Sequence, residues 1–546
     1  MSLGALLAVL AGVWRSPTGP STLLRARPER SRGTGKPGAP LTSSFDSLRS
    51  SLDKLGTCPE RGKAESRGSL RTTPRYAGGD VPSDGERGRR PSRTRVEGSK
   101  RAAPALAVTW TTLLASAIAL WQAPVPPATA TFFGLIICDP FSAAFRWLAL
   151  GVTAIVILLV MGSSEVSERV QGEYLGLLLL VAVGLMLMAE ANHLLMAYVA
   201  MELVSLNGYV LVGLLDDARS AEASLKYLLF GALASGVMLF GMSLLFGLTG
   251  TLAFPELLRA TSALDGTHTA ALLVAVVLML AGLAFKISMV PFHLWTPDAY
   301  EGAPVAVTAL LSVGPKAAGL ALLWRLMAVL LPAWTVVAPL VAVLTMATMT
   351  LGNVVALVQT NVKRLLAYST IAQVGYLLIG FVVNTRLGLE ALLLYLVAYL
   401  FMNLGAFACV AAVVNETGSE SLEAFRGLSK RAPVLALWCT LFLLSLAGIP
   451  PLLGFFGKFL LFGSALQARQ AELAVAGVVN SAIALYYYVN IIRLMYLQAP
   501  EQATPLRAPF PLRLALAVCG VATLFLGLFP STLLSLVEHA ASLNLL

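Results

Sequence analysis

The sequence contains little charge. Only 12% of its 546 residues are Asp, Glu, Lys or Arg, whereas 57% are hydrophobic. A water-soluble protein carries about 25% charged residues, so the composition excludes a chain of ordinary soluble domains. The mean hydropathy of +0.77 agrees with this exclusion. We therefore expect a polytopic membrane protein.

Cysteine and histidine are also scarce. The five cysteines lie far apart, and the sequence contains neither a Cys-x-x-Cys pair nor a Cys/His cluster. This spacing disfavours an iron–sulfur cluster or a structural zinc site held by the chain alone. A glycine-rich dinucleotide motif and a P-loop are missing as well. We therefore predict that the chain binds no cofactor and no metal.

Positive charge is concentrated in one segment. Residues 1–103 hold 20 basic and 9 acidic residues, whereas the rest of the chain holds 19 and 20. The segment 15–103 is rich in Arg, Ser, Gly and Pro, and it cannot bury enough apolar surface to fold. We predict a disordered insert and no nucleic-acid partner. The insert either binds anionic lipid headgroups or is a tolerated loop without a role.

Apolar segments separated by short polar breaks fill the chain from residue 105 onward. Lipid offers no hydrogen bonds to backbone groups, and the apolar pattern does not alternate, so the segments are predicted to be helices. There are 13 predicted spans, or 14 if Leu3–Trp14 is the remnant of another. The spans are 105–121, 144–162, 174–190, 193–214, 221–248, 270–297, 303–327, 333–359, 365–384, 388–414, 432–467, 471–497 and 511–529.

Proline and glycine interrupt two of these spans. Pro291 and Pro297 interrupt 270–297, and Gly448-Ile-Pro-Pro interrupts 432–467. Paired broken helices in two halves of a chain indicate an inverted repeat with an ion site between its halves. We expect an all-α fold with two inverted five-helix repeats, each with a broken fourth helix. The predicted parts are a remnant first helix (1–14), the insert (15–103), two helices (104–170), the repeats (171–330 and 331–500), and a last helix with an interfacial tail (501–546).

Lysine and arginine in the loops predict the orientation. One set of alternating loops carries about twice as many of these residues as the other. We expect this set to be cytoplasmic, together with the insert 15–103.

Ionisable residues within the apolar spans are the candidate functional groups. Each charge costs at least about 2.5–3.5 kcal/mol at the bilayer centre. Five such residues in five spans fit a polar path better than isolated ion pairs. Lys226 is nearest its helix start and could snorkel, and His293, beside a break, could relay protons or cap freed carbonyls. The candidates are Glu202, Lys226, Lys286, His293, Lys316 and Lys458.

Several long motifs resemble one known family. FKISMVPFHLWTPDAYEGAPVAVTALLSVGPKAAG, residues 285–319, is similar to the signature of the proton-translocating membrane subunits of respiratory complex I and their Mrp antiporter relatives. The wording Tyr-Glu-Gly-Ala-Pro at 300–304 resembles the subunit N branch of bacterial NADH–quinone oxidoreductase. Further matching motifs are ANHLLMAYVAMELVSL, SLKYLLFGALASG, QTNVKRLLAYSTIAQVGYLLIG, SLAGIPPLLGFFGKF and SAIALYYY.

The resemblance implies a fold of 14 helices and a role for each candidate. Glu202 would pair with Lys286, and Lys226 would modulate that pair. Lys316 would connect the two halves, and Lys458 would lie at the exit. The sequence departs from the family pattern in three places. The first helix is reduced to Leu3–Trp14, Gly314-Pro315-Lys316 replaces a more usual Ser-Lys context, and Gln373 stands where many relatives have histidine.

The same resemblance implies the setting. The chain would be a multi-pass subunit in the bacterial inner membrane, contacting lipid and other membrane-arm subunits of complex I. It would move protons as part of a translocating enzyme, while NADH, FMN, iron–sulfur clusters and quinone are bound by other subunits. Two alternatives stay open: an Mrp-type cation/proton antiporter subunit, and a structural spacer that transports nothing.

Overall fold

The computed structural model describes residues 93–123, 128–167, 170–264, 266–327, 331–500 and 504–541, without side chains for 93–103. The predicted remnant Leu3–Trp14 and the insert up to residue 92 lie outside the described residues, so their predictions stay untested.

The described residues form helices α1 to α18 and one short β-hairpin. Twelve of the helices are long and apolar enough to cross a membrane. The remaining predicted span, 432–467, consists of two shorter apolar helices, α14 and α15. The elements are α1 Arg93–Gln122, β1 Thr129–Thr131, β2 Ile136–Cys138, α2 Pro140–Gly162, α3 Gln171–Glu190, α4 Leu194–Val212, α5 Ala218–Thr249, α6 Phe254–Ser262, α7 Thr269–Ile287, α8 Trp295–Gly302, α9 Val305–Arg325, α10 Trp334–Ala356, α11 Val362–Val383, α12 Arg386–Thr417, α13 Leu428–Arg431, α14 Pro433–Ala447, α15 Leu453–Gln467, α16 Ala471–Leu497, α17 Phe510–Leu528 and α18 Pro530–Ala540.

Both predicted interruptions are present. The first separates α7 from α8 and contains Pro291, whereas the second separates α14 from α15 and begins at Gly448, whose φ of 91° ends the helix. One detail of the prediction is wrong, because Pro297 lies in the first turn of α8. The N–H groups of a first turn have no intrahelical partner, so a proline there interrupts nothing.

Two features near the N-terminal side differ from the prediction. The helix α1 begins at Arg93, inside the segment 15–103 that composition predicted to be disordered. Extending an existing helix costs less than nucleating one, and Arg, Lys, Glu and Ala favour that extension. The hairpin β1–β2 is an addition to the predicted all-α fold. It lies between α1 and α2, outside the spans, where water can satisfy its free backbone groups.

Three helices form the centre of the bundle. Every residue of α9 is buried, and most residues of α11 and α12 are buried too. Helices that are apolar on all sides belong in such a centre. In contrast, α1 and α10 are largely exposed. The polar residues of α9, α11 and α12 are therefore withdrawn from lipid.

The C-terminal helix α18 is amphipathic, as the predicted interfacial tail requires. Leu533, Val537 and Ala540 are buried, and this spacing places them on one face of the helix. Residues 542–546 of the predicted tail lie beyond the described part of the chain.

Candidate functional site

Glu202 lies near the middle of α4 and is half-buried. Its carboxylate accepts a hydrogen bond from the Ser235 hydroxyl of α5. Ser205, one turn further along α4, accepts a hydrogen bond from the Lys286 ammonium at 2.9 Å. The spacing of three residues places Glu202 and Ser205 on neighbouring positions of one helix face.

Lys286 lies at the interrupted end of α7 and is fully buried. Its Nζ binds Ser205 Oγ and the Met201 carbonyl, which lies at 3.4 Å. The resemblance predicted a pair between Glu202 and Lys286, but no ion pair joins them here. The neutral acceptors of α4 contact the ammonium instead. A buried ammonium without a carboxylate is costly, so this position favours either a nearby counter-ion or loss of the proton.

Lys316 occupies the middle of α9 and is also fully buried. Its Nζ donates to the Tyr300 hydroxyl at 2.9 Å and lies 4.7 Å from the centre of the Trp295 ring. The Trp295 indole donates to the Phe285 carbonyl at 3.1 Å, which fixes the ring against α7. The short helix α8 thus supplies both aromatic partners of Lys316, so the first break assembles its environment.

His293 lies inside the first break and is buried. Its Nδ1 has no hydrogen-bond partner among the described residues. The ring does interact with the backbone carbonyl of Pro291 inside the break, which supports the alternative that this histidine caps a freed carbonyl. Within the described structure, His293 is placed apart from the contacts that hold Lys286 and Lys316.

Lys458 lies in the first half of α15, beside the second break. Its Nζ donates to the carbonyls of Leu446 at 3.0 Å and Ala447 at 3.2 Å. These carbonyls belong to the last turn of α14, where no intrahelical donor remains and the helix dipole is negative. The Tyr376 ring covers the ammonium at 4.4 Å. The break thus provides the acceptors that hold a buried cation.

Hydroxyl and amide groups occupy the space between Lys316 and Lys458. Gln373 of α11 donates to the Tyr488 hydroxyl at 3.3 Å and to the Leu446 carbonyl at 3.2 Å, which also binds Lys458. The Tyr395 hydroxyl donates to the Gln373 side-chain oxygen. Gln373 therefore joins α12, α16 and the Lys458 site in one hydrogen-bonded group.

A second part of this group lies one turn of α11 away. Ser369 and the Tyr488 hydroxyl are 2.5 Å apart, and the Tyr399 hydroxyl donates to Thr370 at 2.9 Å. Thr370 also interacts with the Tyr300 hydroxyl, which binds Lys316. The contacts from Lys316 thus reach Thr370, and the contacts from Lys458 reach Ser369, the preceding residue of α11. No hydrogen bond between these two sets of side chains occurs among the described residues.

Lys226 lies away from this row. It is half-exposed on the first turns of α5, where its ammonium pairs with Glu222 at 2.9 Å and Asp298 at 3.0 Å. Asp298 also accepts from Arg364 at 2.7 Å. Among the described residues, no direct contact joins Lys226 to Glu202 or Lys286, so no contact supports the prediction that Lys226 modulates this pair. The expected snorkelling fits the observed exposure, and the partner that holds Lys226 lies on α8.

The same end of the bundle carries further ion pairs, and one of them, Arg219 with Glu420 at 2.9 Å, joins the two predicted repeats. Lys363 is buried and binds Glu420 at 2.6 Å and the Ala303 carbonyl at 2.7 Å. Burial by itself would raise the pKa of the Glu420 carboxyl, but the Lys363 and Arg219 charges hold it below its usual value. These contacts fix the start of α11 against the end of α8.

At the opposite end, Asp139 and Arg325 form a buried two-bond pair at 2.6 and 2.7 Å. Asp139 also caps α2 by accepting from the Ser142 backbone N–H. Burial would raise the pKa of Asp139, but hydrogen bonds and charge from Arg325 lower it. The pair anchors the end of the central helix α9 to α2.

Sequence reasoning missed most of the connecting residues. The sequence analysis does not single out Tyr395 or Tyr399, and it includes the tyrosines at 486–488 only as part of a matching motif. Tyr488 is buried in the hydrogen-bonded group, whereas Tyr486 is exposed. One sequence signal could have indicated this hydrogen-bonded group. Ser369 and Gln373 are polar residues one helical turn apart, in a span with no exposed face. Among the described residues, no cluster of His, Cys, Asp and Glu gathers that could hold a metal ion.

Fold and site together define a class. A polytopic helical bundle with two broken helices and a row of buried lysines at mid-depth has the form of an antiporter-like membrane subunit. Residues 191–484 match the family described as NADH:quinone oxidoreductase/Mrp antiporter, membrane part. The match covers more than half of the chain, so the chain belongs to this family.

Curated relatives agree with the family. "NADH-quinone oxidoreductase subunit N 2" of Sorangium cellulosum is 44% identical over 439 residues, which cover 76% of this chain and 86% of that protein. "NAD(P)H-quinone oxidoreductase subunit 2" of Thermosynechococcus vestitus is 42% identical, covering 78% of this chain and 84% of its own length.

Solved structures show the same architecture. A chain of respiratory complex I from Thermus thermophilus superposes with a TM-score of 0.68 at 33% identity, covering 80% of this chain and 94% of that chain. A chain of the Mrp complex from Dietzia superposes with a TM-score of 0.73 at 25% identity, covering 82% and 94%.

Proposed function

We propose that this chain is a proton-translocating membrane subunit of NADH–quinone oxidoreductase, corresponding to subunit N. The observation that carries the proposal is a set of ionisable groups on helices of the bundle: the buried Lys286, Lys316 and Lys458 and the half-buried Glu202. Curated relatives named NADH-quinone oxidoreductase subunit N, at 43–44% identity over most of the chain, support the assignment. The proposed partners are other membrane-arm subunits, and the proposed location is the bacterial inner membrane.

In this proposal the chain is the translocating part of an enzyme and carries no electrons. NADH, FMN, iron–sulfur clusters and quinone belong to other subunits. The proposed architecture comprises two inverted repeats of five membrane spans each, α3 to α9 and α10 to α16. In this count each broken span is one span, and the short helices α6 and α13 are not spans. Support comes from the two interrupted helices, which hold corresponding places in the two groups and each lie beside a buried lysine.

The proposed step begins between α4 and α7. When the Glu202 carboxylate turns from Ser235 toward Lys286, its charge stabilises the protonated ammonium. When it turns back, Lys286 is left with the neutral acceptors Ser205 and Met201, and its proton moves toward Lys316. The described contacts correspond to this second arrangement. Moving one charge across the membrane costs about 2.3 kcal/mol per 100 mV, a size that switching one ion pair can supply.

The onward path runs from Lys316 through Tyr300 and Thr370 toward Gln373 and Lys458. Water between these groups completes the relay in the proposal, because a hydroxyl or amide passes a proton only by giving one up as it accepts another. We assign His293 and Lys226 supporting roles beside the path. The Leu446 carbonyl is the meeting point of Gln373 and Lys458.

The proposal is tested with Lys286→Ala in the assembled complex. The variant should abolish NADH-driven proton pumping in proteoliposomes while NADH oxidation with an artificial acceptor continues. Lys430→Ala is the matched control, since Lys430 is exposed and lies outside the row. Unchanged proton-to-electron stoichiometry in Lys286→Ala would contradict the proposal.

A cation/proton antiporter subunit is the second candidate, favoured by the superposition on the Mrp complex chain. The Tyr-Glu-Gly sequence at 300–302 and the names of the curated relatives favour the first candidate, the complex I subunit. Co-purification of the chain with NADH dehydrogenase activity would support the first candidate, whereas Na⁺/H⁺ exchange would support the antiporter subunit. A purely structural spacer would retain pumping after both Glu202 and Lys286 are neutralised.

A further inference from the structure

A groove of about 660 Å³ lies where α14 and α17 begin, on the face that the loop charges predict to be cytoplasmic. Its walls include Trp438, Leu435 and Leu516, and three arginines line its opening: Arg431, Arg507 and Arg513. None of these residues belongs to the proton path proposed above, so the groove is a separate feature of the molecule.

The three arginines have no acidic partner in the described part of the chain. Arg431 donates from Nε to the Thr504 carbonyl at 3.2 Å, and its terminal nitrogens make no hydrogen bond to the described residues. Arg513 stacks on Phe510, with the guanidinium 6.0 Å from the ring centre. Arg325 and Arg364, by contrast, bind carboxylates. Three guanidinium groups without a carboxylate among the described residues suit the groove to an anion.

The backbone at the groove adds to its positive character. The helices α14 and α17 both begin there, at Pro433 and Phe510, and the N-terminal end of a helix carries partial positive charge. The Leu506 N–H donates to the Arg431 carbonyl at 3.2 Å, and this bond holds the segment before α17 against the start of α14.

The first turns of the two helices that form the groove also carry exposed apolar side chains, of which Val434 lines the groove itself. Val434 and Leu437 of α14 are 66% and 59% exposed, and Leu514 and Val518 of α17 are 40% and 42% exposed. These residues lie in the first turns of membrane-spanning segments, at the depth where lipid headgroups meet acyl chains. An anionic headgroup bound by the arginines would thus lie next to an apolar surface that can contact the acyl chains of the same lipid.

We propose that this groove binds an anionic phospholipid, with its phosphate among Arg431, Arg507 and Arg513 and its acyl chains along Val434, Leu437 and Leu514. The combination of unpaired cations with a lipid-facing apolar border selects a charged lipid over a soluble anion and over a neutral lipid. The site would hold α14, and so the second break, against α17.

The test uses the assembled complex in vesicles that contain phosphatidylglycerol with a photoreactive acyl chain. After illumination, mass spectrometry should find label on residues 431–438 and 506–518. The double variant Arg507→Gln/Arg513→Gln should reduce that label at least about tenfold, since each arginine near anionic lipid contributes roughly fivefold. Both side chains are exposed, so the variant should fold. Arg493→Gln is the matched control, an exposed arginine on the same face but outside the groove.

Three results would overturn the proposal. Equal labelling by photoreactive phosphatidylcholine would remove the selectivity for charge. Loss of label on addition of excess inorganic phosphate would identify a site for a free anion. Absence of label in the wild-type complex, with the groove instead cross-linked to a neighbouring subunit, would assign it to a protein interface. The mapping on the wild-type complex does not depend on any variant.

Discussion

Three buried lysines are held by three different kinds of neighbour. Lys286 binds a hydroxyl and a carbonyl of α4, Lys316 binds a tyrosine hydroxyl and lies over an indole ring, and Lys458 binds the free carbonyls of a helix end. None of the three forms an ion pair within 4.0 Å among the described residues. Their nearest partners are neutral groups and aromatic rings, so each charge is sensitive to the arrival of a proton or a carboxylate.

Gln373 is the residue-scale test of the second half of the path. Gln373→Leu should slow coupled pumping at least about tenfold, because it removes the link between Tyr395, Tyr488 and the Leu446 carbonyl; tenfold corresponds to about 1.4 kcal/mol of barrier. Gln373→His should retain pumping, since imidazole both donates and accepts. The measurement is the initial rate of NADH-driven acidification in proteoliposomes.

Gln359→Leu serves as the control for this experiment. Gln359 follows the end of α10, and its side-chain amide donates to the Val355 carbonyl of that helix, away from the Gln373 group. If Gln373→Leu and Gln359→Leu pump equally fast, the relay does not use the Gln373 amide.

Asp139 provides a residue-scale prediction about pH. Asp139→Asn should lower the free energy of unfolding at neutral pH by about 3–5 kcal/mol, because it leaves Arg325 buried beside a neutral group. Arg325 lowers the pKa of Asp139, so the contribution of the pair is present above the ordinary value of about 3.9 and is lost as the pH falls below it. Thermal unfolding in detergent should thus show a gap between wild type and variant that narrows from pH 5 to pH 3.

Asp217→Asn is the matched control for the pH experiment. Asp217 also caps a helix, α5, but it is exposed and has no arginine partner in the described structure. Asparagine is an equally good cap, so this variant should change little. A constant gap for Asp139→Asn across the pH range would show that the ion pair does not supply the difference.

At the scale of elements, the short helix α8 connects the two predicted repeats. It supplies Trp295 and Tyr300 to Lys316 on one side and Asp298 to Lys226 and Arg364 on the other. A change in the ion pairs at its end can therefore shift the aromatic partners of the central lysine. Lys226 is best explained as a positioning residue for α8.

This role for Lys226 has a test that separates it from proton carriage. Lys226→Gln should reduce pumping moderately, whereas Lys226→Arg should restore it, because arginine keeps the pair with Asp298. A guanidinium does not release its proton, so a proton carrier would not be rescued by arginine. Lys286→Arg, measured by the same pumping assay, should stay inactive. Loss of pumping in Lys226→Arg would place Lys226 on the path.

The second break depends on glycine for a different reason. A Cβ at Gly454 would overlap the Ser445 carbonyl oxygen of α14, and the Gly454 N–H donates to the Ser445 hydroxyl at 3.1 Å. Gly454→Ala should separate α15 from α14, displace Lys458 from Leu446 and lower the unfolding temperature of the subunit. Gly463→Ala is the control, because a Cβ there meets no atom within 4 Å. Equal unfolding temperatures for the two variants would contradict this account.

At the scale of the whole molecule, the site belongs to one unit of the chain. The chain divides into units at Met1–Pro91 and Ser92–Leu546, and the second unit contains the twelve candidate spans of the described residues and the contacts of the site. Removing residues 2–91 should leave assembly of the complex and its pumping rate unchanged. Blue native electrophoresis and the proteoliposome assay check this result. A truncated chain that fails to assemble would assign the insert a structural role.

The sequence determined the class and most of the elements. Its low charge and long apolar segments predicted the spans. Such segments form helices in lipid because a helix satisfies every backbone hydrogen bond within the segment. Proline and glycine predicted both breaks, and ionisable residues at membrane depth marked Glu202, Lys286, Lys316 and Lys458. All of these signals are local, because each is a property of one segment in contact with lipid.

Only the tertiary structure decided which groups meet. It put Ser205 rather than Glu202 against Lys286, gave Lys226 to Asp298, and brought Gln373 and Lys458 to the Leu446 carbonyl. Such contacts join helices far apart in the chain, and their side chains meet only once helix rotation and depth are fixed by packing. Hydrophobic patterns set which segments enter the membrane, whereas close packing of the bundle set the neighbours of each charge.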